Sequence, residues 1–576
     1  MRAMTFYLVL LLVNVACFMP LYVLNAREKP NPLEFLTRNI GSRKLQRLLY
    51  ARPGFTDPLR INFDFTFPLL LCAAAGLTAP LVVLCLSLVL AFGFVEILYA
   101  SIMTTVFKRP PSLVSDLSLV RAGFSIVHEH RYWIVLLLLA SAALIAAGAY
   151  AATALLFKLM PDRGPLHLIA AAALLPPCTL HWRRYAYSQF LGRAVYSPIL
   201  HLIRNLSYSR RWKRLGARDA AHFDRHNHFK DIELKGAPNL VLVCIESYGS
   251  IVYRDCEPRS SISGLLGGYM SRLAQRGLQY VSSFSEPPIF AGGSWLSYVS
   301  FTYGFKLDDL QYYEGLFGHD GSFAVYESLF HVLRRNGYRS AVLCPLTGVD
   351  PQTVDWASIK RCFQADELVD FRKLEYRGAM LPFLGWKGLS AAPDQYALNS
   401  AYEQVSTSTA GRFSLFFCTL NSHYPWHTAI DAVADWRSLN RSDTPLASGV
   451  RGRSMMERYR AAIRYQLDYI LQFAVERADE DLLIVIFGDH QPPIITPEKL
   501  GKHTPVHIIG KSSAAIDVFR SHGFLPTLDL SGQAPRTINH EAFLSLFMKS
   551  MQTAYGTKPG LETRYRPTGV ALLEEP

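Results

Sequence analysis

Along this chain the hydrophobic positions change character once. Between residues 5 and 181 they form long, almost unbroken runs, and beyond about Gly236 they come in runs of strand length separated by amphipathic stretches. Long runs are read as spans of a bilayer and short ones as the core of a soluble fold. Residues 5–24 make a first span, with no small-residue cleavage site at its end, and so an uncleaved anchor. Residues 65–105 are too many for one crossing of a ~30 Å hydrocarbon layer at ~1.5 Å per residue. Gly76 and Pro80 predict a hairpin of two spans there, the first of them short. Residues 133–157 and 165–181 supply a fourth and a fifth, the last interrupted by Pro176 and Pro177.

In the second part the pattern predicts strands over 239–246, 279–284, 340–344, 413–420 and 482–487. It predicts helices over 262–276, 294–303, 325–336, 394–409, 454–478 and 539–549. The first and last strands are almost purely apolar, as central strands covered on both faces are. Strands alternating with helices favour a mostly parallel sheet sandwiched by helices. The expected architecture is therefore an N-terminal α-helical transmembrane bundle of five spans (1–182), a basic interfacial linker (183–235) and a C-terminal α/β domain (236–576).

Composition agrees with a chain that is part membrane and part globular: half of its 576 residues are hydrophobic, yet the net charge is +13. Between residues 26 and 60 lie eight basic residues, Arg27, Lys29, Arg38, Arg43, Lys44, Arg47, Arg52 and Arg60, against three acidic ones. A second basic stretch follows Arg183. The positive-inside rule puts both in the cytoplasm, whereas five spans place the two ends on opposite sides. Interfacial amphipathic helices on the outer leaflet reconcile the two, with Leu45, Leu48 and Leu49 beside Arg43, Lys44 and Arg47, and Leu202, Ile203 and Leu206 beside Arg204. Anionic lipid headgroups are the economical partner for such charge, and no zinc finger or RNA-binding aromatic pattern points to nucleic acid. The nine cysteines include no C-x-x-C pair; Cys344 and Cys362 are the two that could bridge in an oxidising compartment.

Three predicted strands end in residues that a core would not choose. The run from Asn239 ends on Glu246, the run from Leu482 ends on Asp489 and His490, and the run from Phe413 leads into Asn421-Ser-His423-Tyr-Pro-Trp426. In an open α/β sheet the carboxyl ends of the strands line the site. Two carboxylates, an imidazole and a hydroxyl make a four-ligand set for a divalent ion. Either carboxylate alone could equally cap the helix that follows it; that three strands end this way is what capping does not explain.

These segments, in this order after five spans, resemble the sulfatase-like membrane branch of the alkaline phosphatase superfamily. That branch includes lipoteichoic acid synthases, periplasmic glucan phosphoglycerol transferases and, more distantly, lipid A phosphoethanolamine transferases. The resemblance implies one divalent metal ion (Mn2+, Mg2+ or Zn2+) on Glu246, Asp489, His490 and a hydroxyl nucleophile. The nucleophile, usually Thr in that family, falls here on Ser294, 48 residues after Glu246 in Phe290-Ala-Gly-Gly-Ser294, with Ser297 and Thr302 as alternatives. His423 matches the family's substrate-contacting histidine, and His503 matches a histidine of the phosphoethanolamine branch that sits near the metal. Trp426 and Trp295 are candidates for lining a headgroup pocket. Cys256-Glu-Pro-Arg imitates the sulfatase cysteine motif, but lies too soon after Glu246 and has its Arg one place early.

The reaction implied is transfer of a phosphoglycerol or phosphoethanolamine headgroup from a phospholipid donor to a glycan or glycolipid acceptor. The site would lie on the outer, periplasmic face of a bacterial-type inner membrane. A hydrolase using water as acceptor, and a non-catalytic membrane relative, remain as alternatives.

Overall fold

A computed structural model describes residues 2–25, 60–105, 111–114, 116–117, 131–184, 195–220, 229–253, 261–317, 327–347, 362–382, 390–426, 428–441, 448–449, 453–497, 500–558 and 560–570. The stretch 26–59, with its basic and leucine positions, and Cys256-Glu-Pro-Arg lie outside them. The chain forms two compact units, Met1–Val120 with His128–Arg210, and Arg121–Val127 with Arg211–Pro576.

The first unit is helical wherever the apolar runs predicted spans: Arg2–Cys17, Met19–Asn25, Phe63–Ala75, Pro80–Thr105, Arg131–Lys158 and Pro165–Arg184. Gly76 ends the third of these in the left-handed conformation (φ 68°), so the turn falls where Gly76 and Pro80 predict it. Among the described residues, two helices are long and apolar enough to cross a membrane, Pro80–Thr104 and Val135–Lys158. Arg2–Cys17, Phe63–Ala75 and Pro165–Pro176 are apolar but shorter. The first run falls short because its helix breaks at Phe18, just before Pro20. A five-span bundle is thus more than these helices support by length. The predicted linker contains a long helix, Pro198–Ala220, which carries Leu202, Ile203, Arg204 and Leu206.

The second unit is built on one eight-stranded sheet. Its strands are β1 (Asn239–Ile245), β2 (Gln279–Glu286), β3 (Arg339–Cys344), β4 (Glu367–Asp370), β5 (Phe413–Cys418), β6 (Leu482–Gly488), β7 (Thr504–Gly510) and β8 (Ile538–Asn539). They lie in the order β8-β2-β7-β6-β1-β5-β3-β4. From β6 to β4 all neighbours are parallel, whereas β7 runs antiparallel to both β6 and β2. The sheet is therefore mixed, with the expected parallel arrangement in one half.

Strands β1 and β6 are buried along almost their whole length and pair in register from Asn239 with Leu482 to Ile245 with Gly488. On one face Val241, Val243 and Ile245 join a core with the helices α1 (Ser261–Gln275), α4 (Asp394–Ser408) and α5 (Met455–Glu476). The remaining helices used below are α2 (Ser294–Tyr303), α3 (Leu329–Arg335), α6 (Ser513–Ser521) and α7 (Phe543–Tyr555). Because β1, β5 and β6 are adjacent and parallel, their carboxyl ends open side by side, and the three polar strand ends meet there.

Candidate active site

The site starts from the backbone. Thr419, just past β5, takes a hydrogen bond from Glu246 N on its Oγ1 (3.1 Å) and donates its own N–H to Cys244 O (2.9 Å). The ends of β1 and β5 are thereby tied together. Ser247 follows in the left-handed region (φ 61°), an uncommon conformation for a residue with a side chain. From there its N–H donates to Asp489 Oδ1 (2.8 Å) and its hydroxyl to Glu246 Oε1 (3.0 Å). One residue thus orients both carboxylates.

Glu246, Asp489 and His490 are all buried, and each offers a ligand atom within 4.8 Å of the others. Asp489 Oδ1 also accepts the His490 N–H (2.7 Å), while Oδ2 accepts no hydrogen bond. His490 Nδ1 lies 2.9 Å from Gln491 O. A carbonyl only accepts, so Nδ1 carries the proton and Nε2 presents its lone pair to the cluster. Among the described residues the one basic nitrogen within 4 Å of either carboxylate is this Nε2, 3.5 Å from Glu246 Oε1 and 3.4 Å from Asp489 Oδ2. Burial pushes the Asp489 carboxyl well above the usual range, with the nearby Glu246 charge acting the same way. Burial likewise lowers the basicity of His490.

Two buried carboxylates, an unused carboxylate oxygen and an imidazole lone pair converge, and among the described residues no Lys or Arg lies within 4 Å to balance them. Uncompensated buried charge of this kind calls for a cation. The donors are hard oxygens and one imidazole, the set that suits manganese, magnesium or zinc. The residues present therefore fit a divalent ion.

Ser294 is the first residue of α2. The helix begins after Gly292 and Gly293, both left-handed (φ 68° and 77°), a conformation that glycine adopts without a Cβ penalty. This turn sets the Ser294 hydroxyl 2.9 Å from Glu246 Oε2 and 3.1 Å from His490 Nε2. Ser297, one turn on, is fully buried, and Thr302 Oγ1 donates to Tyr298 O within the helix. Of the three hydroxyls considered from sequence, Ser294 is the one in hydrogen-bond contact with the carboxylate–histidine cluster.

His423 is partly exposed, its Nδ1 is 2.6 Å from Tyr424 O, and its charge is felt at both Glu246 and His490. Trp426 is 2% exposed and donates its indole N–H to Ser422 O (2.7 Å). Its ring packs on Tyr424 and Tyr459, so it supports the loop from behind. His503 is half exposed, 3.9 Å from Glu286 Oε2, and its backbone carbonyl is held by Gln491 Nε2 and Ser250 N. His427 lies outside the described residues. Cys344 and Cys362 are both free thiols.

Sequence reasoning missed two supports. Asp394, fully buried at the start of α4, accepts from Asn421 N (2.8 Å) and Gln466 Nε2 (2.7 Å), and its own N–H donates to Asn421 Oδ1 (2.7 Å). Tyr459 OH donates to Ser247 O (3.0 Å) and accepts from Gly249 N (3.2 Å). The signal for Asp394 was a carboxylate opening a predicted helix, which ordinary capping also explains.

No family model matches the sequence, and no curated relative does. Among solved structures the chain is similar to the lipoteichoic acid synthase LtaP from Listeria monocytogenes, at 15% identity over 59% of this chain and 79% of that one, with a TM-score of 0.37. It is similar to the phosphoglycerol transferase GacH of Streptococcus pyogenes in complex with sn-glycerol-1-phosphate, at 11% identity over 59% and 82%, with a TM-score of 0.36. It is also similar to the periplasmic domain of EptC from Escherichia coli, at 14% identity over 59% and 87%, with a TM-score of 0.36.

Proposed function

We propose that this chain is a membrane-bound, divalent-metal-dependent transferase of the sulfatase-like membrane branch of the alkaline phosphatase superfamily. It moves a phosphoglycerol or phosphoethanolamine headgroup from a phospholipid to a hydroxyl of a glycan or lipid acceptor. The observation that carries this reading is the contact of the Ser294 hydroxyl with both Glu246 and His490 beside the unused oxygen of Asp489. A hydroxyl placed among metal-type ligands at a helix start is suited to attack phosphorus.

A divalent ion held by Glu246, Asp489, His490 and Ser294 would supply charge neutralisation and a more acidic serine hydroxyl. Ser294 Oγ then gives its proton to solvent and forms the bond to phosphorus as the bond from phosphorus to the diacylglycerol oxygen breaks. The departing oxygen takes up a proton, for which His423 is the nearby imidazole donor. The start of α2 at Ser294 favours the negatively charged phosphoryl oxygens, as helix N-termini favour anions. In the second half the acceptor hydroxyl loses its proton and bonds to phosphorus, and Ser294 leaves and regains its own. The sum is proton-neutral: phospholipid plus acceptor gives diacylglycerol plus the phosphorylated acceptor. The catalytic unit is assigned to the outer face of a bacterial-type inner membrane.

The test is turnover by the full chain of labelled phosphatidylglycerol and phosphatidylethanolamine, with and without a glycan acceptor. Diacylglycerol release that rises with acceptor, with label appearing on the glycan, is the expected result. Release that ignores the acceptor and leaves the headgroup phosphate in water makes the chain a hydrolase. No release from either lipid in the presence of manganese, magnesium or zinc rejects the reading.

A further inference from the structure

Four residues beyond His490 the chain makes a turn that a soluble core does not need. Ile495 N donates to Pro493 O (2.8 Å), closing a three-residue turn with Ile494 at its centre and φ +70°. That φ is the one found in the rare, strained γ-turn, and for a β-branched side chain it is an outlier. The turn is held firmly: buried Thr496 donates its hydroxyl to Pro492 O (2.7 Å), and Ile495 and Leu500 pack against the main core. The same turn throws Ile494 outward, 40% exposed. Among the described residues of the unit from Arg211 to Pro576, it is the sole exposed large hydrophobic side chain.

A single exposed isoleucine would ordinarily need no explanation. Here two independent disadvantages coincide, apolar exposure and a backbone angle that glycine or asparagine would adopt more readily. Strain kept against easy relief collects where a chain contacts its ligand. Position names the ligand. Four residues of chain reach at most about 14 Å, so Ile494 lies within that distance of His490. A phospholipid with its phosphate at Ser294 extends its glycerol and acyl portion over at least that distance, which brings it within reach of an exposed apolar side chain there.

We infer that Ile494 is a lipid-contact residue, which meets the glycerol–acyl region of a bilayer phospholipid while its headgroup phosphate is at the cluster. This rests on the transferase reading for the identity of the reacting group. The role is one of binding and presentation, and Ile494 touches no reacting atom. An aqueous phosphodiester has no such portion and would not use the contact.

The experiment uses the full chain in proteoliposomes and two substrates, phosphatidylglycerol in phosphatidylcholine vesicles and the water-soluble bis(p-nitrophenyl) phosphate. In Ile494→Asn the ratio of kcat/KM on vesicles to kcat/KM on the soluble diester falls at least about tenfold. Melting temperature meanwhile rises by ~2–4 °C as the turn relaxes. Ile494→Leu keeps the apolar contact and restores most of the ratio. An unchanged ratio in Ile494→Asn overturns the inference. A second readout needs no turnover: Ile494→Trp fluorescence, corrected for the wild-type tryptophans, is quenched by phosphatidylglycerol brominated on its acyl chains. Absence of that quench also overturns the inference. If wild type turns over neither substrate, the transferase reading fails, and the quench alone then decides whether Ile494 meets lipid.

Discussion

Ser294 Oγ lies 2.9 Å from Glu246 Oε2, although 48 residues of chain, including α1 and β2, separate them. Removing that oxygen takes away one of the four proposed ligands and its contacts with Glu246 and His490, but leaves the two carboxylates and the imidazole in the cluster. Ser294→Ala should therefore lose lipid turnover by at least about a thousandfold while keeping most of its manganese-induced thermal shift. Intact-mass measurement after incubation with phosphatidylglycerol should show a phosphoglycerol adduct on wild type and none on the variant. An unmodified Ser294 in protein that turns over would reject the nucleophile.

Asp489 carries the unused oxygen of the cluster, and its other oxygen holds the backbone N–H groups of Ser247 and His490. Asp489→Asn keeps that second acceptor and removes one buried, unbalanced carboxylate. Without metal the variant should melt within a few degrees of wild type, or above it. With manganese at about a hundred times its dissociation constant, wild type should gain ~2.7 kcal/mol, and Asp489→Asn should gain far less. Thermal melts with and without EDTA check both arms. An equal manganese shift in the two proteins would remove Asp489 from the ligand set.

Gly488 is required by a close approach. A Cβ there would stand 2.0 Å from Tyr248 O and 2.9 Å from Tyr248 C, backbone atoms that cannot swing away. Gly488 also pairs in register with Ile245, so the intrusion would separate β6 from β1 directly below the site. Gly488→Ala should destabilise the protein by on the order of 3 kcal/mol. It should also weaken metal binding, because Asp489 and Glu246 stand on the two strands being pushed apart. Denaturant melts and manganese titration of the full chain measure the two effects.

The parts of this site that could be read from sequence are those where an unbroken apolar strand ends abruptly on a charge. Glu246 and Asp489–His490 announce themselves in that way, at the ends of β1 and β6, which are buried along almost their whole length. Strand β7 gave no such signal. Pro505 breaks its pattern and His507 looks like a surface residue. In fact His507 is buried, with Nε2 3.0 Å from Tyr248 OH and Nδ1 2.7 Å from Ser282 Oγ. Two hydroxyls, one on β2 and one just past β1, satisfy it, and burial depresses its pKa to about 3, so it stays neutral. Without β7 the sheet looks parallel, and with it the sheet is mixed. Trp426 shows the opposite limit: beside a candidate histidine it reads as a pocket wall, yet its indole is turned to Ser422 O. In the first unit, hydropathy located the helices, but not the break at Phe18 that shortens the first.

Asp394 offers the sharpest pH test. Its carboxylate accepts from Leu420 N, Asn421 N and Gln466 Nε2, yet it is wholly buried, and burial lifts its pKa from 3.8 to about 7 against those hydrogen bonds. In the unfolded chain the group ionises near 3.8. Between that value and about 7 the folded protein therefore holds a proton that the unfolded chain has released. Asp394 thus contributes stability that is fully present below about pH 4 and is lost as pH rises through about 7. The full span is on the order of 4 kcal/mol. Asp394→Asn has no such titration, so wild-type stability should fall relative to the variant between pH 5 and pH 7.5, measured by denaturant midpoints of the full chain in detergent. Activity should respond separately. An asparagine with its oxygen at the Oδ2 position still accepts from Asn421 and Gln466, but its NH2 replaces the Oδ1 that takes the Leu420 N–H at 3.2 Å, which loosens the loop that carries His423. The expected result is a lower kcat/KM with the manganese shift intact, since Asp394 touches none of Glu246, Asp489 or His490. A stability difference that stays constant with pH would show that Asp394 does not titrate in this range.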